Sequence, residues 1–147
     1  MLFQDIVSMS VLLVYIIPAF LYMQTENMKH LYAIVGAFGA SVISETTKLH
    51  IIGDRNPRPI GAKNCDLWCI DGRQDGKPGM PSGHSVQAAF FASYYFNQTD
   101  NLYIKATLII FALSVAFSRY TKRCHTMPQV IAGCILGFIL SQAVLTW

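Results

Sequence analysis

The stretch Gly79-Met80-Pro81-Ser82-Gly83-His84-Ser85 stands between a polar, charge-rich segment and an apolar run that starts at Val86. Serine, glycine and histidine where a loop enters a helix can make an anion site. Ser82 can cap the helix, and the first free N–H groups point outward with the positive end of the helix dipole. Gly83 lets the backbone approach a ligand closely, and His84 can trade a proton near neutral pH. A capped helix followed by an incidental histidine reads the same way, so the surrounding chain has to decide.

Outward from this stretch, the composition sets the class. Of 147 residues, 53% are hydrophobic and only 13% are charged, where a soluble domain carries about 25% charged residues. The apolar residues fall in long runs. The expected fold is therefore all-α: a multi-pass transmembrane helical bundle of about five spans, one domain over 1–147 with a polar site loop at 53–81. The net charge of +3 is small and scattered, which argues against nucleic acid as a partner. Four cysteines do not indicate a secreted disulfide scaffold.

Ile6 to Met23 is the first expected span, and it contains Pro18. Asp5 where a signal peptide would be basic, and no small-residue cleavage site, argue for a span instead. Leu31 to Ile52 is the second, and its last turns carry Ser41, Ser44, Glu45, Thr46, Thr47 and Lys48. Ionisable groups in a span usually face a polar cavity; the plainer alternative is that Lys48 snorkels to the interface beside Glu45. Val86 to Phe96 is short for a third span and crosses only if its first turn is recessed under the loop. Leu102 to Phe117 is the fourth and Thr126 to Leu145 the fifth, followed by Trp147, a residue favoured at membrane interfaces.

The loop from Gly53 to Pro81 suggests two metal sites, and neither survives. Asp71 to Gly76 has the look of a calcium loop, but Arg73 takes a ligand position and Ser82 stands where the bidentate Glu belongs. Cys65 and Cys69 could join a histidine around zinc only at an unspecific spacing. No metal or cofactor is expected.

Counting crossings brings the unusual residues together. Span two ends at Lys48, span three starts at His84, span four ends at Arg119 and span five follows His125, so all of these emerge on one face. Two small-residue stripes add geometry: Gly36, Ala40, Ser44 and Lys48, and then His125, Gln129, Gly133, Gly137 and Ser141. If the stripes of spans two and five pack on each other, Lys48 and His125 meet at the same end.

Lys48-x6-Arg55, Pro81-Ser82-Gly83-His84 and Ser118-Arg119-x5-His125 resemble the three-part signature of the type-2 phosphatidic acid phosphatase superfamily. That superfamily includes lipid phosphate phosphatases, dolichyl and undecaprenyl pyrophosphate phosphatases, glucose-6-phosphatase and vanadium haloperoxidases. The resemblance implies a membrane phosphatase acting on a lipid phosphate or a polyprenyl pyrophosphate. It implies His125 as nucleophile through a phosphohistidine, and His84 as acid and then base. Lys48, Arg55, Arg119, Ser82 and Gly83 would hold the phosphoryl oxygens without a metal.

Two departures stand out. The family usually has Arg-Pro at the end of its first motif, whereas here Arg55 precedes Asn56-Pro57 and Arg58-Pro59 follows. Seven residues on a helix return nearly to the face of Lys48, which favours Arg55, with Arg58 the alternative. Many members have Asp four residues after the last histidine; here it is Gln129, as in the dolichyl pyrophosphate phosphatases and glucose-6-phosphatase. Gln129 either orients His125 or closes a capping box with Thr126, Pro128 being tolerated in the first turn.

The aromatic run Phe90, Phe91, Tyr94, Tyr95 and Phe96 either lines a prenyl or acyl groove or faces membrane lipid. Gln129 and the short chain tilt the substrate towards polyprenyl pyrophosphate. A catalytically inactive relative, serving as a lipid-binding or structural subunit, is the competing class. It would be marked by loss of a motif histidine or arginine, and none is lost. Orientation is contested: the family implies a site facing the lumen, periplasm or exterior, whereas the basic residues of the site face point to the cytosol by the positive-inside rule. The sequence names neither the oligomeric state nor the pairing of Cys65 and Cys69.

Overall fold

Residues 3–146 are described in a computed structural model, and among them the chain is helical, with two isolated antiparallel bridges in one loop. Trp147, expected at the interface, lies outside the described residues. Helix α1 runs Phe3–Thr25 with a 3-10 turn at Ser10–Leu12. Helix α2 is Met28–Thr46, continued by a π-helical turn at Thr47–Ile52. Helices α3 (Gly83–Phe96), α4 (Leu102–Thr121) and α5 (Met127–Leu145) complete the bundle.

The ends have local causes. Asn27 caps α2 by accepting from the Lys29 N–H at 3.1 Å, and Asn101 caps α4 by accepting from Tyr103 and Ile104. Glu26 ends α1 in the left-handed region (φ 52°) and returns its N–H to Tyr22. Helices α1, α4 and α5 are each long and apolar enough to cross a membrane. Their outer faces carry exposed Ile16, Phe20, Ile110, Phe117, Ile135 and Phe138, an apolar exterior that suits lipid better than water.

The short helix α3 is the centre of the bundle. It packs most extensively against α5, then α4 and α2, and buries Val86, Ala88, Phe90, Phe91 and Tyr94. The aromatic run is therefore mostly core: Phe90 is fully buried, and neither a lipid face nor a groove of the site claims it. Phe91 and Tyr95 line a separate apolar cavity at the opposite end, beside His30.

The two small-residue stripes do not chiefly meet each other; each packs on α3. A side chain at Gly133 would lie 2.6 Å from the Ser82 carbonyl oxygen, and one at Gly137 would strike the Val86 carbonyl. Gly36 faces Phe90 from the other side, and the α5 residue beside it is Val144, which lies outside the stripe. The reason is thickness: α3 presents Ser82, Ser85 and Ser93 towards α5, small enough for two backbones to approach closely, and Ser141 Oγ donates to Ser93 Oγ at 2.7 Å.

The 53–81 loop is folded rather than loose. Arg58 N–H donates to Lys77 O, Asn64 N–H to Gly72 O and Gln74 N–H to Ala62 O. A disulfide joins Cys65 to Cys124, the residue before His125. Cys65 is thereby spent as a zinc thiolate, and its partner is Cys124 rather than Cys69, which is free. Lys122 completes the anchoring, with its Nζ 2.7 Å from Asp5 and donating to Asn64 O at 3.0 Å.

Candidate active site

A cavity of about 520 Å³ opens where the loop covers the ends of α2 and α3. Lys48, Arg58, Gly83, His84 and His125 line it. Three distant sequence segments thus meet in one chamber.

His125 is 2% exposed and sits in the turn between α4 and α5. Its Nδ1 lies 2.8 Å from the Gly79 carbonyl oxygen and 3.3 Å from Gln129 Oε1. The amide of Gln129 cannot be reversed, because its Nε2 donates to Asn56 O at 3.1 Å and to Pro57 O at 2.9 Å. Both groups facing Nδ1 are therefore acceptors, so Nδ1 carries the proton and Nε2 keeps its lone pair. Burial pushes the imidazole well below its ordinary pKa, aided by the charges of Arg58, Arg119 and Lys48 and opposed by the hydrogen bond to Gln129. The resting group is neutral.

Gln129 makes the contacts that both expected roles call for. Its Oε1 accepts the Thr126 N–H at 3.1 Å, the reach-back half of a capping box, and the same oxygen faces His125. A Cβ at Gly79 would come within 2.7 Å of Gln129 Nε2, so a larger residue there would push that amide aside. This backbone carbonyl, the nearest partner of His125, has no signature in the sequence.

His84 opens α3 on the other wall of the cavity. Its Nε2 is buried and has no hydrogen-bond partner among the described residues. Lys48 is 5% exposed, and its Nζ lies 2.5 Å from Glu45 Oε1. The snorkelling alternative is thus half right: the pairing exists, but Lys48 is the buried partner and Glu45 the exposed one. Gly83 makes room for it, because a Cβ there would sit 3.2 Å from Glu45 Oε1 and 3.9 Å from Lys48 Nζ.

Of the two candidate arginines, Arg58 lines the cavity and Arg55 does not; Arg55 is exposed. Seven residues return to the same face only on an unbroken α-helix. After Thr46 the helix widens into its π turn, Gly53 turns the chain at φ 55°, and Gly53–Arg55 is a 3-10 turn. The face that Lys48 presents is lost before Arg55. Arg58 instead donates Nη1 to the Cys124 carbonyl at 3.4 Å, beside His125.

Arg119 and Ser82 lie behind the cavity rather than on its wall. Arg119 is fully buried; Nη1 donates to Ser8 Oγ, Nη2 donates to the Cys65 carbonyl, and Nε is unpartnered among the described residues. Ser82 stands at the N-cap position of α3, but its side chain makes no cap. Its Oγ accepts from Ser85 Oγ at 3.0 Å and its N–H donates to Gln129 O at 3.0 Å. Ser82 therefore ties α3 to α5 and leaves anion contact at the helix start to the residues after it.

The all-helical bundle thus gathers cations and two imidazoles in one chamber. The model of the PAP2 superfamily matches residues 10–147, and the chain belongs to that superfamily. It is 28% identical over 126 residues to lipid phosphate phosphatase epsilon 2, chloroplastic, of Arabidopsis thaliana, a match covering 80% of this chain and 39% of that protein. The chain thus spans about two-fifths of the length of this relative. No solved structure matches it.

Proposed function

We propose that the chain is an integral membrane phosphatase that hydrolyses a lipid phosphate through a phosphohistidine. The observation that carries this reading is His125 with its Nδ1 proton held on Gly79 O and its Nε2 lone pair free, in a chamber shared with His84, Lys48 and Arg58. The family and the name of the plant relative support the substrate class.

In the first step His125 Nε2 attacks phosphorus, and the bond to the leaving oxygen breaks as His84 Nε2–H protonates it. In the second step water attacks, His84 takes its proton, and the P–N bond breaks to free inorganic phosphate. Imidazolium character at His125 is stabilised through Nδ1–H by the Gly79 carbonyl. Lys48 and Arg58 balance charge on the equatorial oxygens; Arg119 adds its charge from beneath, with Nε as its one unused donor.

Three long apolar helices support a membrane location, and in this reading all five helices cross, α3 being recessed beneath the loop. We place the site on the lumen, periplasmic or exterior side, because a disulfide at its rim belongs in an oxidising compartment. The basic residues of this face have partners or positions of their own. Arg58 lines the site, Lys122 pairs with Asp5, and Arg73 pairs with Asp75, so these cations have local duties.

The test is phosphate release from a short-chain lipid phosphate by purified protein in detergent. Turnover that EDTA leaves intact and His125→Ala abolishes is expected. Full activity in that variant, or strict dependence on a divalent metal, would refute the mechanism.

A further inference from the structure

The end of the bundle opposite the catalytic chamber holds a second cavity, of about 460 Å³, between α1, α3 and α4. That volume is in the range of small-molecule sites. Buried Phe91 and Leu108 form its floor, whereas Leu13 and Ile17 on α1 and Ile104 on α4 are 37–49% exposed. The cavity is therefore a crevice, open sideways between α1 and α4. Its cause is the course of α1, which packs on α4 along Phe3–Met9 and parts from it beyond. Residues 13–21 of α1 and 104–111 of α4 line the crevice, a depth of about 12 Å by helical rise. Half of a bilayer's hydrocarbon core is about 15 Å thick. The crevice is about one leaflet deep.

Its polar groups are at the mouth. Tyr95 and Thr107 spend their hydroxyls within the protein, on His30 and on Tyr103 O. The rest are Lys29 and His30 at the start of α2, with Gln98 and Thr99 after α3. Lys29 is the one charged side chain among the lining residues, it is half-buried, and it makes no ion pair among the described residues. Its backbone is held, since Asn27 accepts its N–H at 3.1 Å and Tyr94 Oη donates to its carbonyl at 2.8 Å.

His30 is 5% exposed. Its Nδ1 lies 2.8 Å from Tyr95 Oη, and its Nε2 has no partner among the described residues. The Tyr95 hydroxyl has no other acceptor there, so it donates to Nδ1 and the ring proton sits on Nε2. A buried donor without an acceptor is costly. This one lines the crevice beside an unpaired ammonium, a setting that calls for an anionic acceptor.

One ammonium and one imidazole N–H, at the mouth of an apolar slot one leaflet deep, match the two oxygens of a carboxylate on an acyl chain. A phosphate brings three terminal oxygens and more charge, and the chamber assigned to it above gathers Lys48, Arg58 and Lys77. We propose that the crevice binds a long-chain fatty acid. The carboxylate lies at Lys29 and His30, and the chain runs inward between α1 and α4 over Phe91 and Leu108. The site needs the membrane location but not the phosphatase reading.

The probe is palmitate with a photoreactive diazirine midway along its chain, added to the full chain in detergent micelles at about pH 8, where the carboxylate is ionised. Labelling is expected within residues 13–21 and 104–111. Excess palmitate should displace the probe about tenfold better than hexadecanol, as a charge-assisted hydrogen bond allows. Lys29→Gln should abolish that preference. Lys105→Gln, on the same face but with its Nζ over the Phe96 ring, should leave it within about twofold. Thr107→Trp fills the crevice from an exposed position and should remove labelling of both segments.

Equal displacement by palmitate and hexadecanol would overturn the proposal, because any chain would then fill the crevice. Labelling of exposed Ile135 and Phe138 on α5 as strongly as the crevice would do the same, as the mark of surrounding lipid. Hexadecyl phosphate displacing the probe better than palmitate would make this a second phosphate site and overturn the carboxylate. His125→Ala should label as wild type does, so a failed phosphatase mechanism leaves the fatty-acid site standing.

Discussion

His125 and His84 reach one chamber from opposite walls, and the structure treats them differently. His125 is locked: a backbone carbonyl and a glutamine oxygen hold its Nδ1, and the disulfide fixes the residue before it. His84 is anchored only through its helix, with a buried Nε2 that has no partner among the described residues. A nucleophile gains from a fixed tautomer and direction. A group that gives a proton to one oxygen and later takes one from a water must be free to serve both. The proposed division of labour matches which ring is held.

The largest expected effect tests that division. His125→Ala should lose at least about 10⁴-fold in turnover on any substrate, as loss of a nucleophile does. His84→Ala should lose about 10²–10⁴-fold on an alkyl phosphate. With p-nitrophenyl phosphate, whose leaving group needs little protonation, the same variant should give a burst of nitrophenol followed by slow turnover, because the phosphohistidine forms and then waits for activated water. Equal losses without a burst would erase the distinction between the rings.

A smaller contrast concerns the arginines. Arg58→Ala should lower kcat/KM by about 10²–10³, the scale of one transition-state donor, whereas Arg55→Ala should stay within about twofold. The reverse ranking would restore the unbroken helix to the first motif.

Next comes the support of His84. Gly137→Ala drives a methyl into the Val86 carbonyl, and an overpacked contact of this kind costs about 1–3 kcal/mol and shifts α3. Gly39→Ala, with nothing within 4 Å, is the matched control and should leave the melting temperature unchanged or raise it slightly.

The smallest effect is in pH. Because His125 is neutral in the fold, with its pKa held down by burial, the unfolded chain binds a proton below about pH 6.5 that the folded chain does not. Its contribution to stability is therefore whole above that pH and declines as pH falls towards the depressed folded value. Melting curves of wild type and His125→Asn between pH 7.5 and 5.5 should diverge in that sense, with wild type losing more. The acid limb of kcat/KM should likewise lie below the ordinary histidine range.

The helices, their order and the convergence of Lys48, His84 and His125 were legible in the sequence, because apolar length and crossing parity depend on local composition alone. What escaped depends on details that periodicity does not encode. The choice between Arg55 and Arg58 turned on a helix that loosens into a π turn and stops at Gly53. The partner of each glycine stripe depended on α3 being thin enough to lie between them. Gly79 orients the nucleophile through a carbonyl that every residue possesses, and Ser8 reaches Arg119 from 111 residues away. Cys124 looked unremarkable until the loop folded over it.

The disulfide at the rim also has a topological consequence. Bonding Cys65 to Cys124, 59 residues apart, closes a covalent ring that threads through α3 and α4 and contains Pro81-Ser82-Gly83-His84 and Ser118-Arg119 whole, with His125 at its clasp. A loop of that length restricts the unfolded chain by up to about 4 kcal/mol at 25 °C. The ring leaves out α1, α2 and α5, which pack around it as separate staves. Even when those staves loosen, the second motif and the Ser118-Arg119 half of the third stay on one closed circle, with His125 bonded directly to its closing cysteine.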